Sequence, residues 1–409
     1  MISRAAGWLT LFLIGTDLFV MSPLLPSITH ELGVPAADGG WAVTTFAAAY
    51  LVGGPSFGSL ADRTSRSRVL GIGLAVFALA NLATALTGSF AVLLAVRALA
   101  GLAASGVTPS VYALVGSAAP PAKRATWLAV VTSGLLTALI TGAPAGTLMA
   151  DVVGWRGVFV VMAIASVLIL GFIWASAVRP RRSTAAVGAP GPPPQPAATA
   201  ALPSVTTPVS TPLRLRAVSV TTLWALAVYG IYTYLGTILT NIAHLTSWLL
   251  AAALACFGLG AIAGNLAGGR LTDRWGGRTV SIVSLSALAV LDTVLGLTLD
   301  APTAVLLLVL AAVALAAYPY FSAQQARLIA YQPAGSGLLI AWNNSAMYAG
   351  ILIGSAVGGR VLTHLGAPAL AFAAAAVAAL GALTATRSIP ERHRTGRRTG
   401  TQSASSDAA

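Results

Sequence analysis

Charge is the scarcest thing in this sequence. Of its 409 residues 8% are charged, against about 25% in an ordinary soluble protein, while 57% are hydrophobic. A soluble particle of this size cannot cover its surface with so few charges. Lysine is nearly absent: Lys123 stands alone, and the remaining basic residues are arginine. A single cysteine, Cys256, excludes an intramolecular disulfide and a cysteine-built metal site. Histidine occurs only at 30, 244, 364 and 393, and the zinc-protease pattern begun by His30-Glu31 lacks its second histidine. Lys123 follows Ala122, so no phosphate-binding loop exists and ATP hydrolysis is not the energy source. Gly54-Pro55-Ser56-Phe57-Gly58 has the letters of a hydrolase elbow but lies in an apolar stretch without strand–turn–helix context. No enzyme, metal or cofactor is read from these residues.

What is present is a series of apolar stretches of about 20 residues, each long enough to cross roughly 30 Å of hydrocarbon as a helix. Twelve are read, at 7–28, 41–60, 70–88, 90–114, 126–150, 156–178, 217–240, 247–269, 279–299, 302–325, 337–361 and 367–386. Lipid offers backbone groups no hydrogen-bond partner, so helix is the expected form. The first stretch is too long for a signal peptide and carries Asp17 at its middle, so a retained helix is expected.

Arginine placement sets the orientation. With the N-terminus cytoplasmic, 20 of the 23 basic residues fall inside, Arg156 and Arg360 fall outside, and Arg97 lies within a helix. That bias predicts both termini in the cytoplasm, and makes the net charge of +13 a sign of topology rather than of nucleic-acid binding. The Ala, Gly and Arg vocabulary suggests a bacterial source, hence the inner or plasma membrane.

The chain divides in two. Ser183–Leu213 holds eight prolines and no charge, too little apolar surface to offset its ordering entropy. The expected organisation is a six-helix bundle over 1–178, a disordered cytoplasmic linker over 179–216, a second six-helix bundle over 217–386, and a disordered basic tail over 387–409. The halves repeat: Gly58-Ser59-Leu60-Ala61-Asp62-Arg63 and Gly269-Arg270-Leu271-Thr272-Asp273-Arg274 stand 211 residues apart, each after the second helix of its half. The fold class expected is an all-α membrane protein of twelve transmembrane helices in two related bundles.

Here the sequence resembles the major facilitator superfamily, over nearly all of its length outside linker and tails. The run from Gly58 through Asp62, Arg63, Ser65, Arg66 and Arg68 is similar to the family's signature between helices 2 and 3, with Ser65 where glycine is preferred and Ser67 interrupting the basic run. Helix 4, from Arg97 through Gly101 and Gly106 to Pro109, resembles the family's helix-4 motif. Gly142-Ala143-Pro144-Ala145-Gly146 resembles the helix-5 motif of drug and metabolite antiporters, with Ala143 where glycine normally precedes the proline. Gly15-Thr16-Asp17 through Pro23 and Pro26 is similar to the opening of twelve-helix proton-coupled drug exporters. The resemblance implies two bundles that alternate access to a central site. It also implies an inner gate at Gly58, Asp62, Arg63 and Arg66, echoed by Asp273 and Arg274, that closes on the start of helix 11 near Gly337. A simpler reading leaves those charges as solvated loop residues.

Three ionisable residues lie deep in predicted helices, Asp17, Arg97 and Asp292, each costing about 2.5–3.5 kcal/mol at the bilayer centre. At 1.5 Å per residue Asp17 lies about 15 Å from the inner boundary and the others roughly 20 Å. An arginine spans the difference, so Asp17 and Arg97 are expected to face the central cavity of the first half. One reading makes Asp17 the coupling proton's site; the other makes the pair a permanent salt bridge between helices 1 and 4. Asp292 is either a cavity residue or a paired structural charge. Tyr229, Tyr232, Tyr318, Gln324, Trp342, Asn343 and Asn344 are the candidate substrate-cavity residues, because aromatics with amides at membrane depth suit an amphipathic organic molecule; aromatics also fill cores.

The leading expectation is a secondary exporter of a small drug-like or metabolite substrate, driven by proton antiport through alternating access. Its partners are the substrate, protons and the bilayer; it needs no nucleic acid and acts as a monomer. An uptake or facilitated-diffusion permease on the same fold is the alternative, and a membrane receptor or scaffold a remote one.

Overall fold

The computed structural model describes residues 2–63, 65–120, 123–178, 211–331 and 336–387. Among these the chain is helical, joined by short turns, with no strand. The helices are α1 (Arg4–Glu31), α2 (Trp41–Arg63), α3 (Arg66–Leu86), α4 (Phe90–Ala118), α5 (Arg124–Thr137), α6 (Ala143–Val178), α7 (Thr211–Asn241), α8 (Ser247–Trp275), α9 (Gly277–Leu297), α10 (Thr303–Ala317), α11 (Pro319–Tyr331) and α12 (Ser336–Arg387). Several begin on a hydroxyl cap: Ser3, Ser65, Ser89 and Thr246 each accept a backbone N–H from the first turn, a donor the helix itself cannot satisfy.

Two helices are too long to cross once. At 1.5 Å per residue α6 would run about 54 Å and α12 about 78 Å, against roughly 30 Å of hydrocarbon. Gly154 (φ 70°) and Gly366 (φ 83°) divide them, because a residue without Cβ enters the left-handed region freely and lets the chain turn back. The predicted stretches 156–178 and 367–386 begin just past these glycines. The predicted fifth stretch is built from α5, a π-helical turn over Ala138–Gly142 and the start of α6; the tenth comprises α10 and α11, which meet at Pro319. Each of the twelve predicted stretches therefore has a helical counterpart.

Two boundaries need correction. α7 begins at Thr211, so residues 211–216, expected in the linker, are helical, and Pro212 sits in the first turn, where no donor is required. α2 runs on to Arg63, which places Asp62 in its last turn rather than in a loop. The linker over 179–210 and the tail after Arg387 lie outside the described residues.

Within the first half α1 packs on α5 and α6, α2 on α4, and α3 on α4 and α6; within the second, α12 packs on α7 and α9, and α8 on α10 and α11. The halves touch through α1 against α7, α2 against α12, and α6 against α8. Large apolar side chains such as Val152, Leu168, Trp174, Trp248, Leu308 and Leu383 point outward and exposed, a surface stable only in lipid.

Candidate transport site

Asp17 comes from α1 and Arg97 from α4. The guanidinium donates two parallel hydrogen bonds to the carboxylate, Nη1 to Oδ1 at 2.9 Å and Nη2 to Oδ2 at 2.8 Å. Phe46 of α2 lies 4.8 Å from the guanidinium carbon and Phe159 of α6 5.9 Å, so four helices of the first half converge on the pair. Gly101, one turn past Arg97, lets the Phe46 backbone come where a Cβ would stand. The expectation that both residues face an open cavity is not met in this conformation, since they are 0% and 1% exposed. A bidentate partner replaces water, as a carboxylate in a low-dielectric interior requires.

α1 is held at this depth by the helix-5 motif. Gly142 faces Thr16 and Gly146 faces Val20, each so closely that a Cβ would overlap the α1 side chain. The π-helical turn ends where the Ala143 N–H donates to Ala138 O, five residues back. That widening precedes Pro144, which has no N–H to give. Gly142 and Gly146 thus set the height and rotation at which α1 presents Asp17.

Among the described residues the candidate cavity residues fall in separate packing groups. Tyr229, Tyr232 and Tyr318 share a buried aromatic cluster with Trp224, Phe257, Tyr320 and, from the first half, Phe19, with ring centroids 5.3–6.4 Å apart. Asn343 Oδ1 accepts from the Thr221 hydroxyl at 2.6 Å, and that hydroxyl also meets the Tyr320 hydroxyl at 2.8 Å. Gln324 is buried and its Oε1 accepts from Arg327 at 3.4 Å. Trp342 lies apart, against a separate apolar group of Val218, Leu328 and Leu339, and Asn344 is half-buried. Trp224 was missed by the sequence reading. It is fully buried at mid-helix with its Nε1 donating to Ala317 O at 2.8 Å; an indole far from either interface, needing an acceptor, was the available signal.

On the face that carries the termini, only the helical backbone of Gly58, Asp62 and Arg63 is described, and their side chains lie outside the described residues, as do those at the start of α12. Arg66, Asp273 and Arg274 are exposed.

The opposite face is closed. Ser22 of α1 donates to Tyr232 O at 2.5 Å and accepts from Gly236 N–H at 3.1 Å. The Tyr232 hydroxyl donates to Phe19 O at 3.3 Å. Thr44 of α2 bonds Ser355 of α12 at 2.7 Å, and the Tyr234 hydroxyl is shared between Ser355 O at 2.5 Å and Ala37 O at 3.2 Å. Ser247 donates to Asp151 at 2.8 Å. At mid-membrane Tyr50 stacks on Tyr348 with centroids 3.6 Å apart. Above this seal an open cavity of about 710 Å³ is walled by Ser27, His30, Glu31, Trp155 and Asn241. Glu31 accepts from Trp155 Nε1 at 2.5 Å and pairs with Arg156. Those two donors, the indole first, hold its carboxyl below the usual carboxylate range.

Two helical halves that meet tightly at one membrane face, with a buried ion pair inside one of them, are the build of a membrane transporter. Comparison with known proteins narrows the class. The sequence profile of the Major Facilitator Superfamily matches residues 7–255 and 243–406. The chain is 33% identical to a chloramphenicol resistance protein of Streptomyces lividans over 86% of both chains, and 27% identical to the inner membrane transport protein YdhP of Escherichia coli (strain K12), again over 86% of each. Among solved structures it resembles a bacterial homologue of the human lysosomal transporter Spinster in an inward-facing, unoccupied conformation, with a TM-score of 0.63 at 18% identity, covering 94% of this chain and 93% of that one. The chain belongs to the major facilitator superfamily and is a multi-pass membrane transporter.

Proposed function

We propose that this transporter exports a small organic molecule in exchange for protons, from a bacterial inner or plasma membrane, with the termini on the cytoplasmic face. The closed face is then the outer one, and the structure is the outer-closed member of an alternating-access pair. The observation that carries the reading is the Asp17–Arg97 pair, a fully buried acid and base that join α1 to α4 within the first half. Protonation of Asp17 weakens its hold on Arg97, frees the guanidinium and loosens α1 from α4; loss of the proton restores the grip. One proton moving through 100 mV supplies about 2.3 kcal/mol, nearly fiftyfold in substrate concentration. Export is supported by the resistance named for the Streptomyces lividans relative. The aromatic cluster around Trp224, bordered by Thr221 and Asn343, suits an amphipathic molecule with an aromatic ring and a few polar groups.

The test uses energised inverted vesicles carrying the protein and a pH-reporting dye, with chloramphenicol first in a panel of toxic amphiphiles. Substrate addition dissipates the pH gradient, and the protein protects an efflux-deficient host against the same compound. Accumulation in intact cells instead of protection would make the protein an uptake permease; substrate flux without any proton movement would remove the antiport.

A further inference from the structure

Asp292 is the intramembrane acid that the Asp17–Arg97 pair leaves unused. It lies on α9 in the buried stripe Leu285, Leu288, Asp292 and Leu295, is fully buried, and has no hydrogen-bond partner on either carboxyl oxygen among the described residues. Its neighbours bring no balancing charge. α10 contains no titratable residue, and neither does the part of α12 from 367 to 386. On α11, Arg327 packs against Gly277, which at 1.5 Å per residue is about 22 Å along α9 from Asp292, and the Tyr320 hydroxyl is engaged by Thr221. On α8, Arg270, Asp273 and Arg274 lie at the cytoplasmic end, leaving the half-buried Cys256 at mid-helix. The α7 rings of Tyr229 and Tyr232 turn toward Phe19. A lone carboxylate without donor or counter-charge does not persist in such a medium, so Asp292 is the neutral acid here. The internal repeat agrees: the 211-residue offset that relates Asp62 to Asp273 carries Asp292 onto Asn81, a neutral amide equally buried in α3.

Position ties this proton to the outer seal. About one and two turns outward from Asp292, Leu295 and Leu299 wall a narrow apolar void with Leu235 and Ile238 of α7 and Leu370 of α12. The same stretch of α7 carries Tyr232 and Gly236, bound to Ser22 across the seal. When the outer face opens, the outer half of α7 leaves α1, and its packing against the α9 residues just beyond Asp292 is disturbed with it. We propose that Asp292 is a proton-binding site of the second half, filled while the outer face is closed and opened to water when α7 swings. The O–H bond then breaks, water takes the proton as hydronium, and the carboxylate remains; closing the face takes one proton back. The inference rests on the orientation and alternating access proposed above, and is independent of which way substrate moves.

The experiment follows outer-face opening directly. In a Cys256→Ser background, Ala42→Cys places a thiol at a fully buried position at the outer end of α2, and a membrane-impermeant maleimide is added outside intact cells. Each rate is divided by that of a permanently exposed cysteine on the same face at the same pH, since the reactive thiolate itself grows with pH; with Asp292 present, this normalised labelling quickens several-fold as the medium is made alkaline. With Asp292→Asn, whose amide cannot release a proton, labelling stays slow at every pH. A pH response retained in Asp292→Asn, or none with Asp292 present, overturns the proposal. An infrared carbonyl band from an unbonded carboxylic acid, seen with Asp292 and lost in Asp292→Asn, supports it independently; its absence from the protein with Asp292 overturns it even if the variant folds poorly. If the labelling pattern holds while vesicles show no substrate-driven proton movement, the antiport reading falls and this one stands; the reverse result separates them the other way.

Discussion

The Asp17–Arg97 pair makes a prediction with a magnitude. Each group is closed from solvent and each satisfies the other through two hydrogen bonds, so removing either strands a buried charge or donor set. Breaking a buried pair from one side costs about 3–5 kcal/mol, whereas replacing both partners by apolar residues of similar size is close to neutral. Taking about 2–4 °C per kcal/mol for a cooperative unit of 150–250 residues, Asp17→Asn and Arg97→Met should each lower Tm by roughly 6–20 °C. Asp17→Leu with Arg97→Met should recover most of that loss. The assay is thermal unfolding of detergent-purified protein followed by tryptophan fluorescence, with reconstituted transport measured on the same samples. Single variants as stable as the parent, or a double variant whose loss equals the sum of the singles, would refute the argument. Transport separates the two roles read from the sequence: a stable double variant that no longer couples flux to protons makes the pair the coupling site, and one that still couples makes it a structural bridge.

Gly142→Ala and Gly146→Ala each push a Cβ into Thr16 or Val20 and should cost about 1–3 kcal/mol by overpacking, read as lower Tm and reduced transport, because the same shift misaims Asp17. Thr44→Val with Ser355→Ala removes a cross-half bond worth about 0.5–1.5 kcal/mol, and should speed outer-face labelling of a cysteine at Ala42 by roughly two- to tenfold. Glu31 is held in its charged form by Trp155 and Arg156. Its contribution to the α1–α6 contact is therefore present above the ordinary carboxylate range and is lost as pH falls through its lowered value. Glu31→Gln should abolish that acid-dependent step in an acid titration of Tm.

The helices were legible because lipid forces one pattern on them: about 20 apolar residues, then a turn. So was the meeting of Asp17 with Arg97, since two opposite charges at similar depth in adjacent elements have few other ways to be satisfied. The π-helical turn at Ala138–Gly142 was not legible, although Pro144 announced a missing donor, because the disturbance is absorbed in the turn before the proline. Nor was the seal opposite the termini. Its partners, such as Ser22 with Tyr232 and Thr44 with Ser355, lie hundreds of residues apart, and three of the six cross-half bonds end on backbone carbonyls that every residue carries. The seven candidate cavity residues were grouped by depth alone; depth does not fix rotation about the helix axis, so Trp342 was placed with Tyr229, Tyr232 and Tyr318 although it packs in a different apolar group.

The seal also constrains the face that carries the termini. Six hydrogen bonds named above cross between the halves; at about 0.5–1.5 kcal/mol each they favour closure of the face opposite the termini by about 3–9 kcal/mol. Under the proposed proton coupling, one proton driven by 100 mV brings about 2.3 kcal/mol, so a transporter sealed only at that face would stay there. To cycle, its two states must lie within a few kcal/mol, which requires contacts of comparable worth that form when the inner face closes. The charged turn at Asp62, Arg63 and Arg66, with its repeat at Asp273 and Arg274, is the one feature duplicated at the same place in each half on that side. Asp62→Ala should therefore deepen the outer-closed bias: slower outer labelling at Ala42→Cys, slower transport, and a Tm near that of the parent. Faster outer labelling in Asp62→Ala would mean that this turn opposes inner closure, and the balance between the two faces would have to be sought elsewhere.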